Sequence, residues 1–274
     1  MTRRRIVTLA IAAVLTIAAH AAPAAERFIT VVSTTSTENS GLFMALLPRF
    51  TARTGIEVRV VAVGTGQAIR LARNGDADVL LVHHTASEEQ FVADGFGVAR
   101  FDVMYNDFVI VGPGHDPAEI AATATASAAL ARLAGRASPF VSRGDDSGTH
   151  KRELSLWASA GVNVEAASGT WYRETGSRMG ATLNVASAMN AYALTDRATW
   201  LKFDNKGGLE ILVQGDPRLF NQYGIVLVDA ARHPHVKTGD GQAFIDWVLS
   251  AEGQAVIGAY RVAGQAAFVP NAKP

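Results

Sequence analysis

The chain has no cysteine among its 274 residues. Disulfide staples, thiolate metal sites and cysteine nucleophiles are therefore excluded, and stability must come from a packed core. A charge excess is missing as well: 25 Lys and Arg stand against 25 Asp and Glu. Without a basic field, nucleic acid and anionic membrane surfaces are excluded as partners. Beyond the first 25 residues no uncharged run is long enough to span a bilayer. Signatures of catalysis are equally scarce. There is no G-x-S-x-G elbow, no H-E-x-x-H pair and no phosphate loop ending in Gly-Lys-Ser/Thr. Gly64 and Gly66 are followed by Ile69 where a dinucleotide fingerprint needs a third glycine. His150 and Glu153 have H-x-x-E spacing but lack further ligands for a metal. His83 and His84 are adjacent at a strand end, point to opposite faces and are not expected to act together.

What is present begins at the N-terminus. Arg3, Arg4 and Arg5 precede an apolar run from Ile6 to Ala19, and small residues follow through Ala25. This is the layout of a cleavable secretory signal, expected at residues 1–25. It implies export and a periplasmic location. The 249 residues that follow carry 22 basic against 25 acidic side chains. An anion captured by this chain must therefore be held by local geometry and not by bulk charge.

The remaining sequence alternates strand-like and helix-like patterns, the signature of an α/β fold. Apolar, β-branched runs at 28–32, 57–63, 78–83, 139–142, 191–194 and 223–228 read as strands. Periodic apolar positions such as Leu42, Phe43, Leu46, Leu47 and Phe50 read as helices, with Gly55 as a stop and a bend expected at Pro48. The run 101–111 is longer than an ordinary strand. No linker separates the chain into halves, so two lobes would have to be joined by strands crossing between them, at 101–111 and 219–228. The division expected is residues 26–111 with 223–274 as one lobe and 112–222 as the other.

Three places share one design: a strand, a Gly/Ser/Thr turn and a helix start, at 33–41, 64–66 and 143–149. A helix N-terminus offers unpaired N–H groups and a partial positive charge. Small residues let an anion approach those groups, and hydroxyls add adjustable donors. The bland reading of each turn is an ordinary helix cap. A single cap needs one hydroxyl, however, and Ser33-Thr34-Thr35-Ser36 supplies four. Arg143 is the permanent cation beside these turns, and its fork suits a dianion. A local bridge to Asp145 or Asp146 is the equal alternative for that side chain.

The segments Ser-Thr-Thr-Ser-Thr-Glu-Asn-Ser-Gly (33–41), Val-Gly-Thr-Gly-Gln-Ala (63–68) and Ser-Arg-Gly-Asp-Asp-Ser-Gly-Thr-His (142–150) resemble the tungstate-binding proteins of ABC importers, the TupA type. So do 74–83, 104–113, 171–176, 179–184, 191–197 and 221–225, in order along nearly the whole chain after residue 25. The resemblance implies a type II periplasmic-binding-protein fold: two α/β lobes joined by two crossing strands. It further implies a cleft that closes on an oxyanion, a membrane permease as partner, a monomer, no cofactor, no enzymatic activity and no bare metal ion. The implied ligand contacts are Thr34, Thr35, Thr65, Arg143, Ser147 and Thr149, with a backbone N–H from the Met179–Gly180 turn. Ser33, Gly66, Gly148 and Gly180 complete the candidate set from the same turns. The expected ligand is tungstate or molybdate. The alternatives are a sulfate or phosphate receptor, a sensor, and a hydrolase built on Ser147 with His150. Two positions depart from the family pattern. Ser33 replaces a threonine, and His84-Thr85 replace small or apolar residues.

Overall fold

The computed structural model describes residues 27–273, so the expected export signal at 1–25 lies outside the described residues. The first stretch runs β1 (Phe28–Thr34), α1 (Thr35–Ser40), α2 (Leu42–Thr54), β2 (Glu57–Val63), α3 (Thr65–Asn74), β3 (Val79–Val82) and α4 (Thr85–Ala93). A long strand β4 (Gly97–Pro113) leads to α5 (Ala126–Gly135), β5 (Phe140–Ser142), α6 (Gly148–Ser159), β6 (Tyr172–Glu174) and α7 (Met179–Met189). The chain continues through β7 (Ala193–Asp196), α8 (Arg197–Lys202), β8 (Leu209–Val213) and β9 (Phe220–Val228). It closes with α9 (Thr238–Leu249), α10 (Ala251–Ala259) and three two-residue strands, β10 (Arg261–Val262), β11 (Gln265–Ala266) and β12 (Val269–Pro270).

The strand order is β12-β4-β9-β3-β1-β2, and the far end of β4 pairs separately with β7 and β8. Residues 97–107 of β4 lie antiparallel to β9, whereas Phe108–Pro113 lie antiparallel to β7 and β8. One strand therefore serves two sheets. The alternation of side chains on each sheet builds four packed clusters. Val31, Val79 and Leu81 face one layer of helices, and Val32, Leu80 and Val82 face the other. Phe108 and Ile110 repeat the pattern against Val109 and Val111 in the second sheet. Met104 packs in the first pair of clusters and Phe108 in the second. Leu219 and Tyr223 mark the same transition on the return strand.

Local chemistry explains the elements nearest the cleft. The hydroxyl cluster expected to form a turn does not turn. β1 runs on through Thr34, whose extended backbone (φ −100°, ψ 150°) passes directly into α1. Gly41, at φ 83°, ends α1 and opens α2, a left-handed junction suited to glycine. Pro48 lies inside α2, which continues to Thr54. Elements without a strong periodic signal were not anticipated: β6, β8, α8 and α10. Of these α8 bears most on the cleft. It packs on α1, and it places Ala198 in the first core and Trp200 in the second.

Candidate anion site

The site is built where β1, β2 and β5 end and α1, α3 and α6 begin. Thr34 caps α1: its Oγ1 accepts from the Thr37 N–H at 3.3 Å and lies 2.7 Å from Thr37 Oγ1 and 3.2 Å from Ser36 Oγ. Ser36 Oγ in turn lies 3.1 Å from Nε2 of His83, the residue that follows β3. Ser33 points elsewhere. Its hydroxyl donates to Leu81 O at 2.6 Å, across the β1–β3 pairing. Four hydroxyls in a row thus divide into one that fastens the sheet and three buried where β1 passes into α1, with Thr34 and Thr35 each 3% exposed and Ser36 2% exposed.

The second turn contributes Thr65, fully buried at the start of α3. Its Oγ1 accepts from the Gly148 N–H at 3.0 Å, which joins the 64–66 turn to the 143–149 turn. Gly148 is demanded by close approach to buried groups, whereas a side chain at Gly66 would displace the exposed carboxylate of Asp146. A Cβ at Gly148 would stand 2.8 Å from Thr65 Oγ1 and 3.0 Å from the His83 ring. A Cβ at Gly66 would stand 2.1 Å from Asp146 Oδ2.

The third turn carries the charge. Ser147 caps α6, its Oγ accepting from the His150 N–H at 3.2 Å. Arg143 is buried and donates to Asp145 Oδ2 at 2.5 Å, while Asp145 Oδ1 accepts from the Ser147 N–H at 3.3 Å. The local bridge weighed from sequence therefore exists, and it orients Arg143 without consuming it. Arg143 Nε is buried with no hydrogen-bond partner among the described residues, and so is Thr149 Oγ1. A cavity of about 190 Å³ opens beside Arg143, lined also by Gly64, Gln67, Asp145, Asp146, Ser177 and Arg178. Gly180 stands in the first turn of α7, two residues past Arg178, with open space at its Cβ position.

The carboxylates near the site are engaged by donors of the protein itself, Asp145 by Arg143 and the Ser147 N–H. Burial holds His83 neutral, its pKa lowered to about 4, and the nearby Arg143 pushes it the same way. Asp196 is buried at the cap of α8, with both carboxylate oxygens taken by Thr199; burial raises its pKa. Asp146 is half-exposed and faces Arg70 and Lys151 at the rim. The arrangement suits an anion that needs only donors. His83, with Asn221 and Asn106 behind it, was not read as part of the site from sequence. Its place at the C-terminal end of a buried strand was the available signal.

Comparisons with known proteins place the chain in a family. Residues 18–252 match the model of a PBP superfamily domain. The chain is 46% identical to the tungstate-binding protein TupA of Peptoclostridium acidaminophilum over 90% of its own length and 87% of the relative's. Two solved structures superpose with a TM-score of 0.79. One is the tungstate ABC transporter protein from Geobacter sulfurreducens, 50% identical, covering 86% of this chain and all of that one. The other is TupA from Desulfovibrio alaskensis G20, 45% identical, covering 90% of this chain and all of that one. Two α/β lobes, two crossing strands and a buried polar cleft between them define a type II periplasmic-binding-protein fold. Within that superfamily the chain belongs to the TupA family of tungstate-binding proteins.

Proposed function

We propose that this protein captures tungstate, or its near-isostere molybdate, as an intact oxyanion between its lobes and delivers it to the permease of an ABC importer. The observation that carries the reading is the pair of unpartnered buried donors, Arg143 Nε just after β5 and Thr149 Oγ1 in the first turn of α6. A buried donor without an acceptor costs about 1–3 kcal/mol, and an oxyanion in the cleft would remove that cost. The N-termini of α3 and α6 supply a favourable dipole from two sides. Thr34, Thr35, Thr65, Ser147 and Thr149 supply hydroxyls that turn to suit the ligand. The names of the relatives support tungstate as that ligand and an ABC importer as the system.

Charge disposition disfavours a phosphate receptor. A protonated phosphate needs a carboxylate acceptor. Asp145 is engaged by Arg143 and Ser147, and Asp146 faces the rim cations. A hydrolase finds no support either. The Ser147 hydroxyl accepts from the His150 backbone, and His150 Nδ1 accepts from the Asp146 N–H at 3.3 Å, so the ring is turned to the backbone. The chain is read as a binding protein, monomeric, without cofactor, and exported to the periplasm by residues 1–25. No helix among the described residues is long and apolar enough to cross a membrane. The lobes are proposed as 27–104 with 223–273, and 108–219. The expected boundary at 111 is moved because Phe108–Val111 pack in the second pair of cores.

Thermal unfolding of the purified chain against tungstate, molybdate, sulfate and phosphate tests the reading, since a ligand that binds the folded state raises its stability. Tungstate and molybdate are expected to raise the midpoint, and sulfate and phosphate to leave it nearly unchanged. An unchanged midpoint with tungstate, or displacement of bound tungstate by micromolar phosphate, overturns it.

A further inference from the structure

Behind the hydroxyls of α1 runs a buried chain of polar groups that ligand capture by hydroxyls alone does not require. Ser36 Oγ meets His83 Nε2 at 3.1 Å; His83 Nδ1 meets Asn221 Oδ1 at 3.0 Å; Asn221 Nδ2 donates to Asn106 Oδ1 at 2.7 Å. All four residues are buried. Asn106 and Asn221 are register partners on β4 and β9, the two strands that cross between the lobes. The His83 ring lies against Tyr223 at 4.9 Å and touches the position where a Gly148 side chain would be, so it bridges from one lobe to the start of α6. The chain thus joins the floor of the cleft to the hinge.

Its polarity is set by the amides. Asn221 spends its N–H on Asn106, so its oxygen faces His83, and Nδ1 carries the ring hydrogen. Nε2 then accepts the Ser36 hydrogen. In this polarity Ser36 turns only lone pairs to the cleft, which a dianion would repel, and Asn106 Nδ2 is left buried without a partner. The opposite polarity cures the first fault and puts Asn106 Oδ1, an acceptor, where Nδ2 had stood without a partner. With both amides turned over, Asn106 Nδ2 donates to Asn221 Oδ1 and Asn221 Nδ2 donates to His83 Nδ1. His83 Nε2–H then donates to Ser36, and the Ser36 hydrogen is free for the anion. One proton leaves Nδ1 and one arrives at Nε2 through solvent, with no net uptake.

We propose, resting on the oxyanion reading of the cleft, that His83 is a positioning residue which aims the Ser36 hydroxyl. Anion capture reverses the polarity of the Ser36–His83–Asn221–Asn106 chain and so reports occupancy to the crossing strands. His83 touches no ligand in this scheme and acts through Ser36. The charged groups facing the ring from the packed elements are Arg143, His84 and Arg152. They disfavour an imidazolium and leave exchange between neutral tautomers as the route.

The direct test is imidazole 15N spectroscopy of histidine-labelled wild-type protein with and without sodium tungstate, with His83→Gln used to assign the His83 resonances. The expected result is an Nδ1–H tautomer in the free protein and an Nε2–H tautomer in the complex. The same tautomer in both states overturns the proposal, and so does an imidazolium in the complex. Stopped-flow binding adds a second readout. His83→Leu, which cannot orient Ser36, is expected to raise the tungstate dissociation rate about tenfold with little change in association rate. His83→Gln, which offers an amide to Ser36, is expected to recover most of that loss. Equal affinities for all three proteins overturn the role. A wild-type protein that binds none of the four oxyanions overturns the reading of the cleft itself, whereas binding with an unmoved tautomer overturns the relay alone.

Discussion

The two lobes meet at the cleft with opposite kinds of surface. The lobe carrying α1 and α3 brings hydroxyls and a neutral imidazole that already satisfy one another, from Thr34 with Thr37 to Ser36 with His83. The lobe carrying α6 brings the cation and the orphans, Arg143 Nε, Thr149 Oγ1 and His150 Nε2. One wall can exist without a ligand at no cost, because hydroxyls pair among themselves and rotate when needed. The other wall is incomplete in the protein alone. An oxyanion reading follows from that asymmetry: the ligand supplies acceptors to the wall that lacks them and redirects donors on the wall that has them. Binding and closure become one event, since only the closed form presents both walls.

Removing the charge should break the comparison most severely. Arg143→Ala is expected to weaken tungstate binding by about tenfold to a hundredfold, the value of one or two charge-assisted hydrogen bonds, measured by calorimetry. Arg143→Lys keeps the charge without the fork and should fall between. Cutting the tie between the walls comes next. Thr65→Val deletes the acceptor of the Gly148 N–H and should cost about tenfold in affinity, with Thr65→Ser restoring it.

Opposite pH slopes sharpen the contrast further. In the α6 lobe Glu153 is buried, accepts from Tyr172 Oη at 2.7 Å and Trp157 Nε1 at 3.2 Å, and has its pKa raised by burial to about 7. Its folded value lies above the ordinary 4.5, so its stabilising contribution is complete below 4.5 and is lost as pH rises through about 7. His83 in the other lobe is depressed to about 4 from 6.5, so its contribution is complete above 6.5 and is lost as pH falls through about 4. Thermal midpoints of Glu153→Gln and His83→Gln, each measured against wild type from pH 4 to 8, should therefore diverge from it at opposite ends of the range. Parallel curves would mean that neither burial effect operates. The smallest effect is assigned to Ser33→Ala. It removes a bond to Leu81 O inside the sheet and should lower stability by about 1 kcal/mol in denaturant titration while leaving tungstate affinity unchanged.

Much of the fold was legible in the sequence because its period is local. Runs such as Val79–Val82 and Tyr223–Val228 declare buried strands by composition, and the length of the run 101–111 marked a crossing strand, which the structure extends to 97–113 and pairs in two sheets. The weakly periodic α8 and the short β6 and β8 did not announce themselves. α8 is six residues long, and its place is set by contacts with α1 and with both cores. The hydroxyl-rich strand-turn-helix junctions were visible in the sequence, but each alone reads as an ordinary helix cap, and it was the family resemblance that singled out Thr34, Thr65, Arg143, Ser147 and Thr149. His83 was passed over because adjacent histidines on a strand face opposite ways. That argument was correct about the pair and uninformative about the single ring.

The sequence by itself determined the α/β alternation, the hydroxyl-rich starts of α1, α3 and α6, the absence of any bulk positive field, and the family to which these motifs belong. The tertiary structure alone decided that Ser33 fastens the sheet, that Arg143 is both braced by Asp145 and left with a free donor, and that His83 links Ser36 to the crossing strands. The physical reason is range. Helix starts and strand periods are set by neighbours a few residues apart. Hydrogen-bond direction and burial in the cleft are set by partners such as Thr65 with Gly148 or His83 with Asn221, 83 and 138 residues distant, which only the packing of the lobes and the pairing of β3 with β9 bring into contact.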